Sequence, residues 1–154
     1  MSLMTCRRAG RQLELASQLV GVWKRTSYVQ REVATGATTK PNGEKPGGPA
    51  IFTRGGYFMF GIFNEERKAS AGAIATEAER AALWSTAFFG SGTYKVDGNK
   101  VVLRYDTSSS PTWVGAERRT EVQISGNVLR WTSPTIKGFN NKDVIVVTTF
   151  ERLE

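Results

Sequence analysis

Three tight glycine turns constrain what this chain can fold into. Gly55-Gly56, Asp97-Gly98-Asn99 and Gly126-Asn127 each separate two strand-like runs. The runs are Ala50 to Arg54 with Tyr57 to Phe63, Ser91 to Val96 with Lys100 to Thr107, and Ala116 to Ser125 with Val128 to Ser133. Glycine and asparagine accept the positive φ of a short hairpin turn, so each pair reads as a hairpin. The links between hairpins are long: Ala34 to Pro49, Asn64 to Gly90, Ser108 to Gly115 and Pro134 to Lys142. With a first strand from Gly21 and a last one from Val144 to Arg152, the count is about eight strands, a size at which a closed sheet can hold one small ligand. In an antiparallel meander successive connections fall at opposite ends, which puts every long link at one end and every tight turn at the other. The expected fold is all-β, an eight-stranded antiparallel up-and-down barrel with an open mouth and a closed base. Closure also removes the edges that a flat sheet would expose.

The first strand, Gly21-Val22-Trp23-Lys24-Arg25-Thr26-Ser27-Tyr28, places Trp23, Arg25, Ser27 and Val29 on one face by its period of two. Gly21 lets another backbone approach, and the Trp23 indole can plug the base. On the last strand Arg152 shares a face with Val144, Val146, Thr148 and Phe150, so Trp23 and Arg152 are the expected structural closure of the barrel. In the second long link Thr76 to Phe89 reads as a helix, with Thr76 as N-cap and Glu79 completing a capping box. That helix lies near the open end, with Trp84 and Phe88 sharing a face beside Trp113 of the neighbouring loop. Residues 1–18 read as a tag-like Met1-Ser2-Leu3 and a short helical extension over Arg11 to Leu19, and residues 19–154 as the barrel domain.

Taking the more apolar face of each strand as inward selects Phe52, Tyr57, Met59, Tyr94, Val101, Leu103, Tyr105, Val122, Ile124, Leu129, Trp131, Val146 and Phe150. The run from Tyr57 to Phe63 is ambiguous, because Phe58, Phe60 and Ile62 on its other face are just as apolar. The same parity turns Arg25, Ser27, Arg54, Arg118 and Thr120 inward, with Arg54 solvated beside its turn. Glu117 and Glu121 then point outward. A guanidinium facing an apolar interior needs a partner, which can be a protein carboxylate, water or a ligand anion. The expected ligand is therefore a small hydrophobic or amphiphilic molecule. Its anionic head would meet Arg25 or Arg118, its apolar body Met59, Tyr94 and Trp131, and its candidate contacts also include Ser27, Phe52, Tyr57, Trp84, Phe88, Tyr105, Trp113 and Thr120.

Composition narrows the chemistry. The chain of 154 residues has no histidine and one cysteine, Cys6, which excludes an intrachain disulfide and a cysteine-based metal cluster and removes the commonest general base. No metal, no cofactor and no catalytic residue are expected. Lys and Arg number 21 against 14 Asp and Glu, a net +7. These cations are scattered, only Arg7, Arg8 and Arg11 forming a group, so no nucleic-acid partner is expected. No apolar run approaches the ~20 residues of a membrane span. The first residues lack the apolar core of an export signal, so a cytoplasmic location is expected, and a homodimer is compatible with the sequence.

The ordered segments GVWKRTSY (Gly21 to Tyr28), PAIFTRGGYFMF (Pro49 to Phe60), GSGTYKVDGNKVV (Gly90 to Val102), SPTWVGAERR (Ser110 to Arg119) and SGNVLRWTSP (Ser125 to Pro134) resemble the bacterial lipocalin-like domain family. The similarity runs from about residue 19 to 152. It implies a calycin-like β-barrel with a ligand cavity. Many members of that family carry histidine before Pro-x-Trp, where this chain has Leu103 and Arg104, so no role of that histidine transfers. The leading expectation is binding or carriage of a small apolar ligand without chemistry. The alternative is a cofactor-free isomerase or cyclase that uses Tyr57, Tyr94 or Tyr105 as acid and an inward arginine to stabilise an anion.

Overall fold

In the computed structural model of the protein, which describes residues 3–138 and 140–154, the glycine turns close hairpins as expected. Gly98 and Gly126 take φ of 64° and 56°, left-handed values open to glycine at little cost. The strands are β1 Gly21–Glu32, β2 Thr38–Thr39, β3 Pro49–Phe52, β4 Tyr57–Phe63, β5 Ala87–Asp97, β6 Lys100–Ser108, β7 Glu117–Ser125, β8 Val128–Thr132, β9 Ile136–Lys137 and β10 Asp143–Arg152. Two helices, α1 Leu3–Leu19 and α2 Glu77–Ser85, accompany them. The sheet order is β1-β3-β4-β5-β6-β7-β8-β10, and β10 pairs back onto β1 from Trp23↔Arg152 to Glu32↔Val144. The eight long strands thus form a closed antiparallel barrel. β2 and β9 are two-residue additions from the long links, paired to β1 and β10.

The tight turns and the start of β1 mark the base, and α2 and a 3-10 turn at Pro111–Trp113 mark the mouth. Helix α1 enters β1 from beneath and begins well before Arg11; its Gln12 Nε2 donates to Val96 O at 2.6 Å. The side chains of Cys6, Arg7, Arg8 and Arg11 lie outside the described ones. Trp23 is fully buried and donates from Nε1 to Leu19 O at 2.9 Å. Arg152 covers it with its guanidinium carbon 4.1 Å from the ring centroid, and also donates to the Val20 carbonyl at 2.9 Å and to the Gln18 carbonyl. Such a cation–π contact contributes ~0.5–2 kcal/mol.

The capping box of α2 is present, Glu79 N donating to Thr76 Oγ1 at 3.2 Å and Thr76 N to Glu79 Oε2 at 2.8 Å. The helix stops at Ser85 rather than at Phe89, because Ala87, Phe88 and Phe89 pair with Phe63, Ile62 and Gly61 of β4. Aromatic residues suit a pleated surface, and here the sheet overrides helical pattern. None of the residues of α2 is buried. Thr76→Ala should therefore cost the helix ~1 kcal/mol. Amide exchange in α2 should quicken while the melting midpoint of the barrel stays put; a fall in that midpoint would mean that α2 is part of the cooperative core.

Two local irregularities change which side chains face inward. In β1 the register slips between Arg25 and Ser27, so Arg25 opposes Phe150 but Tyr28 opposes Thr148 and Gln30 opposes Val146. A bulge of one residue exchanges the two faces of everything beyond it. Ser27 pairs with Thr149 on the outer face, and Tyr28 and Gln30 take the inward positions expected of Ser27 and Val29. The β3–β4 loop is the second case. Thr53 N donates to Tyr57 O at 2.8 Å and Gly56 takes φ 82°, so the loop is Arg54-Gly55-Gly56 rather than Gly55-Gly56 alone. Phe52 then opposes Phe58, and Phe58, Phe60 and Ile62 face inward. Tyr57 and Met59 are on the outer wall, 55% and 54% exposed, and Arg54 is exposed in the turn.

Candidate functional site

The inner face changes character along the barrel axis. Near the base it is sealed: Trp23, Ala50, Val101 and Leu129 are fully buried, and Phe52 and Leu103 nearly so. Towards the mouth the inward aromatics are only half-buried. Phe60, Phe88, Trp113 and Trp131 pack against the core yet remain reachable by solvent. Phe60, Phe88 and Trp113 form a connected wall, and Trp131 stands apart from it beside Phe52 and Phe150. Phe88 lies 4.9 Å from Trp113 and 5.7 Å from Phe60, and the Tyr105 ring is edge-on to Trp113 at 5.3 Å and to Phe58 at 5.1 Å. Trp131 lies 6.0 Å from Phe52. Room for the Tyr105 ring comes from Gly90 on the adjacent strand, where a Cβ would sit 2.8 Å from it.

The expected contacts divide accordingly. Phe52, Phe88, Tyr94, Tyr105, Trp113, Arg118, Thr120 and Trp131 face the interior, as does Arg25. Ser27, Tyr57 and Met59 do not, for the reasons of register given above. Trp84 stands 59% exposed on α2 and meets Phe89 at 6.0 Å, while Phe88 belongs to β5, so Trp84 and Phe88 share no helical face. Sequence reasoning missed Tyr28, Gln30 and Phe60; for Phe60 the signal was the equal apolarity of both faces of β4.

Polar groups converge inside this wall. Arg25 is 6% exposed, donates from Nη2 to Gly61 O at 3.0 Å and sits 4.5 Å from the Phe150 ring. It bridges β1 to β4 where β3 has not yet begun to pair, since that pairing reaches only Lys24↔Pro49. Burial pulls its pKa down to about 10, so it stays charged at neutral pH. Arg118 lies 4.1 Å from the Trp113 ring centroid. Burial pushes the Tyr28 and Tyr105 phenols above their ordinary range, which keeps both protonated as hydrogen-bond donors. Tyr94 donates its hydroxyl to Thr53 O at 2.7 Å. Among the described residues no group of three or more His, Cys, Asp or Glu could hold a metal ion, and no helix is long and apolar enough to cross a membrane.

A closed antiparallel barrel, sealed at one end and aromatic towards the other, defines a calycin-like protein. The chain belongs to the lipocalin-like domain family, whose profile matches residues 20–153. It is similar to a lipocalin-like protein from Bacteroides uniformis of known crystal structure, with a TM-score of 0.45 and 15% identity over 88% of this chain and 98% of that one. No curated protein matches the chain. The interior is chemically suited to a small hydrophobic molecule.

Proposed function

We propose that the protein binds and carries a small, largely apolar molecule in the open half of its barrel. The observation that carries this reading is the half-buried state of inward aromatics, Phe60, Phe88, Trp113 and Trp131. Side chains directed into a closed sheet are ordinarily sealed by their neighbours. Covering ~200 Å² of such a wall would contribute about 5 kcal/mol before the cost of ordering the ligand. The polar groups at the same level give the ligand an amphiphilic character.

Carriage without chemistry is favoured over an isomerase or cyclase by the state of the tyrosines. Tyr57 is outside and the Tyr94 hydroxyl is committed to Thr53 O, so of the three candidate acids only Tyr105 stands in the interior, and the chain has no histidine to act as its partner base. The test is a fluorescence titration with the neutral dye N-phenyl-1-naphthylamine, which brightens in apolar surroundings. Saturable binding at one site is expected, weakened roughly three- to ten-fold by Phe88→Ala or Trp113→Ala through loss of aromatic contacts. Met59→Ser should leave it unchanged. Absence of saturable binding, or binding indifferent to Phe88 and Trp113, would overturn the reading.

A further inference from the structure

Among the described residues the barrel interior holds two arginines, and no carboxylate is matched to either. Nε of Arg25 and Nε of Arg118 are both buried without a hydrogen-bond partner. Arg25 spends Nη2 on Gly61 O. The Trp113 ring under the Arg118 guanidinium lies 5.3 Å from the Tyr105 ring, and Phe60, next to the Gly61 carbonyl that Arg25 grips, lies 6.0 Å from that same ring, which places both guanidiniums around Tyr105. The ion pairs among the described residues involve neither of them. The nearby acids are otherwise placed: Glu117 and Glu121 are exposed on the outer face of β7, and Glu32 pairs with Lys142 at 2.9 Å. Cation–π contacts with Phe150 and Trp113 soften the cost of burial but leave the N–H groups unanswered.

From this arrangement, and resting on the carrier reading above, we infer that the ligand bears a single oxoanion received jointly by Arg25 and Arg118, with the Tyr105 hydroxyl as a third, neutral donor. Guanidinium groups offer planar N–H forks that match carboxylate-like oxygens, and a site screened by aromatic rings strengthens such bonds. The sequence admitted either arginine as the anchor. The shared neighbour Tyr105 makes them one site. It also explains why Trp113 lies over Arg118: the ring holds the guanidinium in place at the rim of the apolar wall.

The test uses two dyes that differ by one sulfonate, 8-anilinonaphthalene-1-sulfonate and N-phenyl-1-naphthylamine, titrated at fixed ionic strength into the full chain. Wild type should bind the sulfonate more tightly. Arg118→Gln and Arg25→Met should each weaken it about ten-fold, equivalent to ~1.4 kcal/mol, and leave the neutral dye within about two-fold. Since Arg25 also bonds Gly61, circular dichroism is recorded for both variants, and Arg118→Gln decides the matter if Arg25→Met unfolds. Equal affinity of wild type for the two dyes would overturn the oxoanion and leave the carrier reading standing. So would equal weakening of both dyes by Arg118→Gln, which would mark a structural role. Weakening of the sulfonate by only one of two folded variants would overturn joint reception. Failure of both dyes to bind would remove the carrier reading and this inference together.

Discussion

Trp23→Ala should lower the unfolding free energy by ~3–5 kcal/mol, the usual cost of deleting a large buried aromatic side chain. The loss is expected at the upper part of that range because three supports go at once. The indole fills the base with no exposed surface, its Nε1 satisfies the Leu19 carbonyl at the end of α1, and its ring carries Arg152. Arg152 in turn holds the Val20 carbonyl, so α1, β1 and β10 share this one side chain. Since small domains are stable by only ~5–15 kcal/mol, the variant should be visibly marginal. Urea denaturation followed by circular dichroism measures it, and an unchanged midpoint would contradict the role of Trp23 as the closure of the base.

Gly92→Ala is expected to destabilise by ~1–3 kcal/mol, the range for overpacking a close contact. A Cβ at Gly92 would overlap the Arg104 carbonyl oxygen and lie 2.9 Å from its carbon and 3.0 Å from Asp106 N. These are backbone atoms of β6, where the register slips between Ser91 and Gly92, so no side-chain rotation relieves the contact. The same substitution at Gly10, inside α1 with nothing within 4 Å, should stabilise the helix by roughly 0.5–1 kcal/mol. Opposite signs for the two glycines in parallel urea melts are the expected result. A neutral Gly92→Ala would mean that the β5–β6 bulge yields more easily than its geometry implies.

The fold was legible because turn chemistry and link length are local properties. Gly98 and Gly126 announced their hairpins, Thr76 and Glu79 their helix start, and the alternation of short and long links placed Trp113 and the α2 connection at one end, where Phe88 now meets Trp113. Facing was legible where alternation was clean. In β7 and β8 Val122, Ile124, Leu129 and Trp131 keep to one face while Glu117, Arg119, Glu121 and Arg130 keep to the other, and Val122 and Leu129 fell inside. It failed where nothing in the residues marks the irregularity. The bulge at Thr26 has no glycine to signal it, and Ser27 and Tyr28 exchanged places. In β4 both faces are apolar, so only the loop length could decide, and a three-residue loop leaves Tyr57 and Met59 outside where a two-residue one would have put them in. The arginines escaped both errors: Arg25 precedes the bulge, and Arg118 sits on a strand of regular alternation.

That a ligand sits inside the barrel, gripped from the wall of the open half, is tested most directly by a crystal structure of the protein with 8-anilinonaphthalene-1-sulfonate bound. The predicted result is a naphthalene ring against Trp113 and Phe88, with the sulfonate within hydrogen-bonding distance of both Arg25 and Arg118. Two other places on the molecule could hold the dye: the outer wall at Tyr57 and Met59, and the groove beneath the base between Val20, Arg54 and Lys95. Density at either of those, with the interior unchanged, would contradict the account.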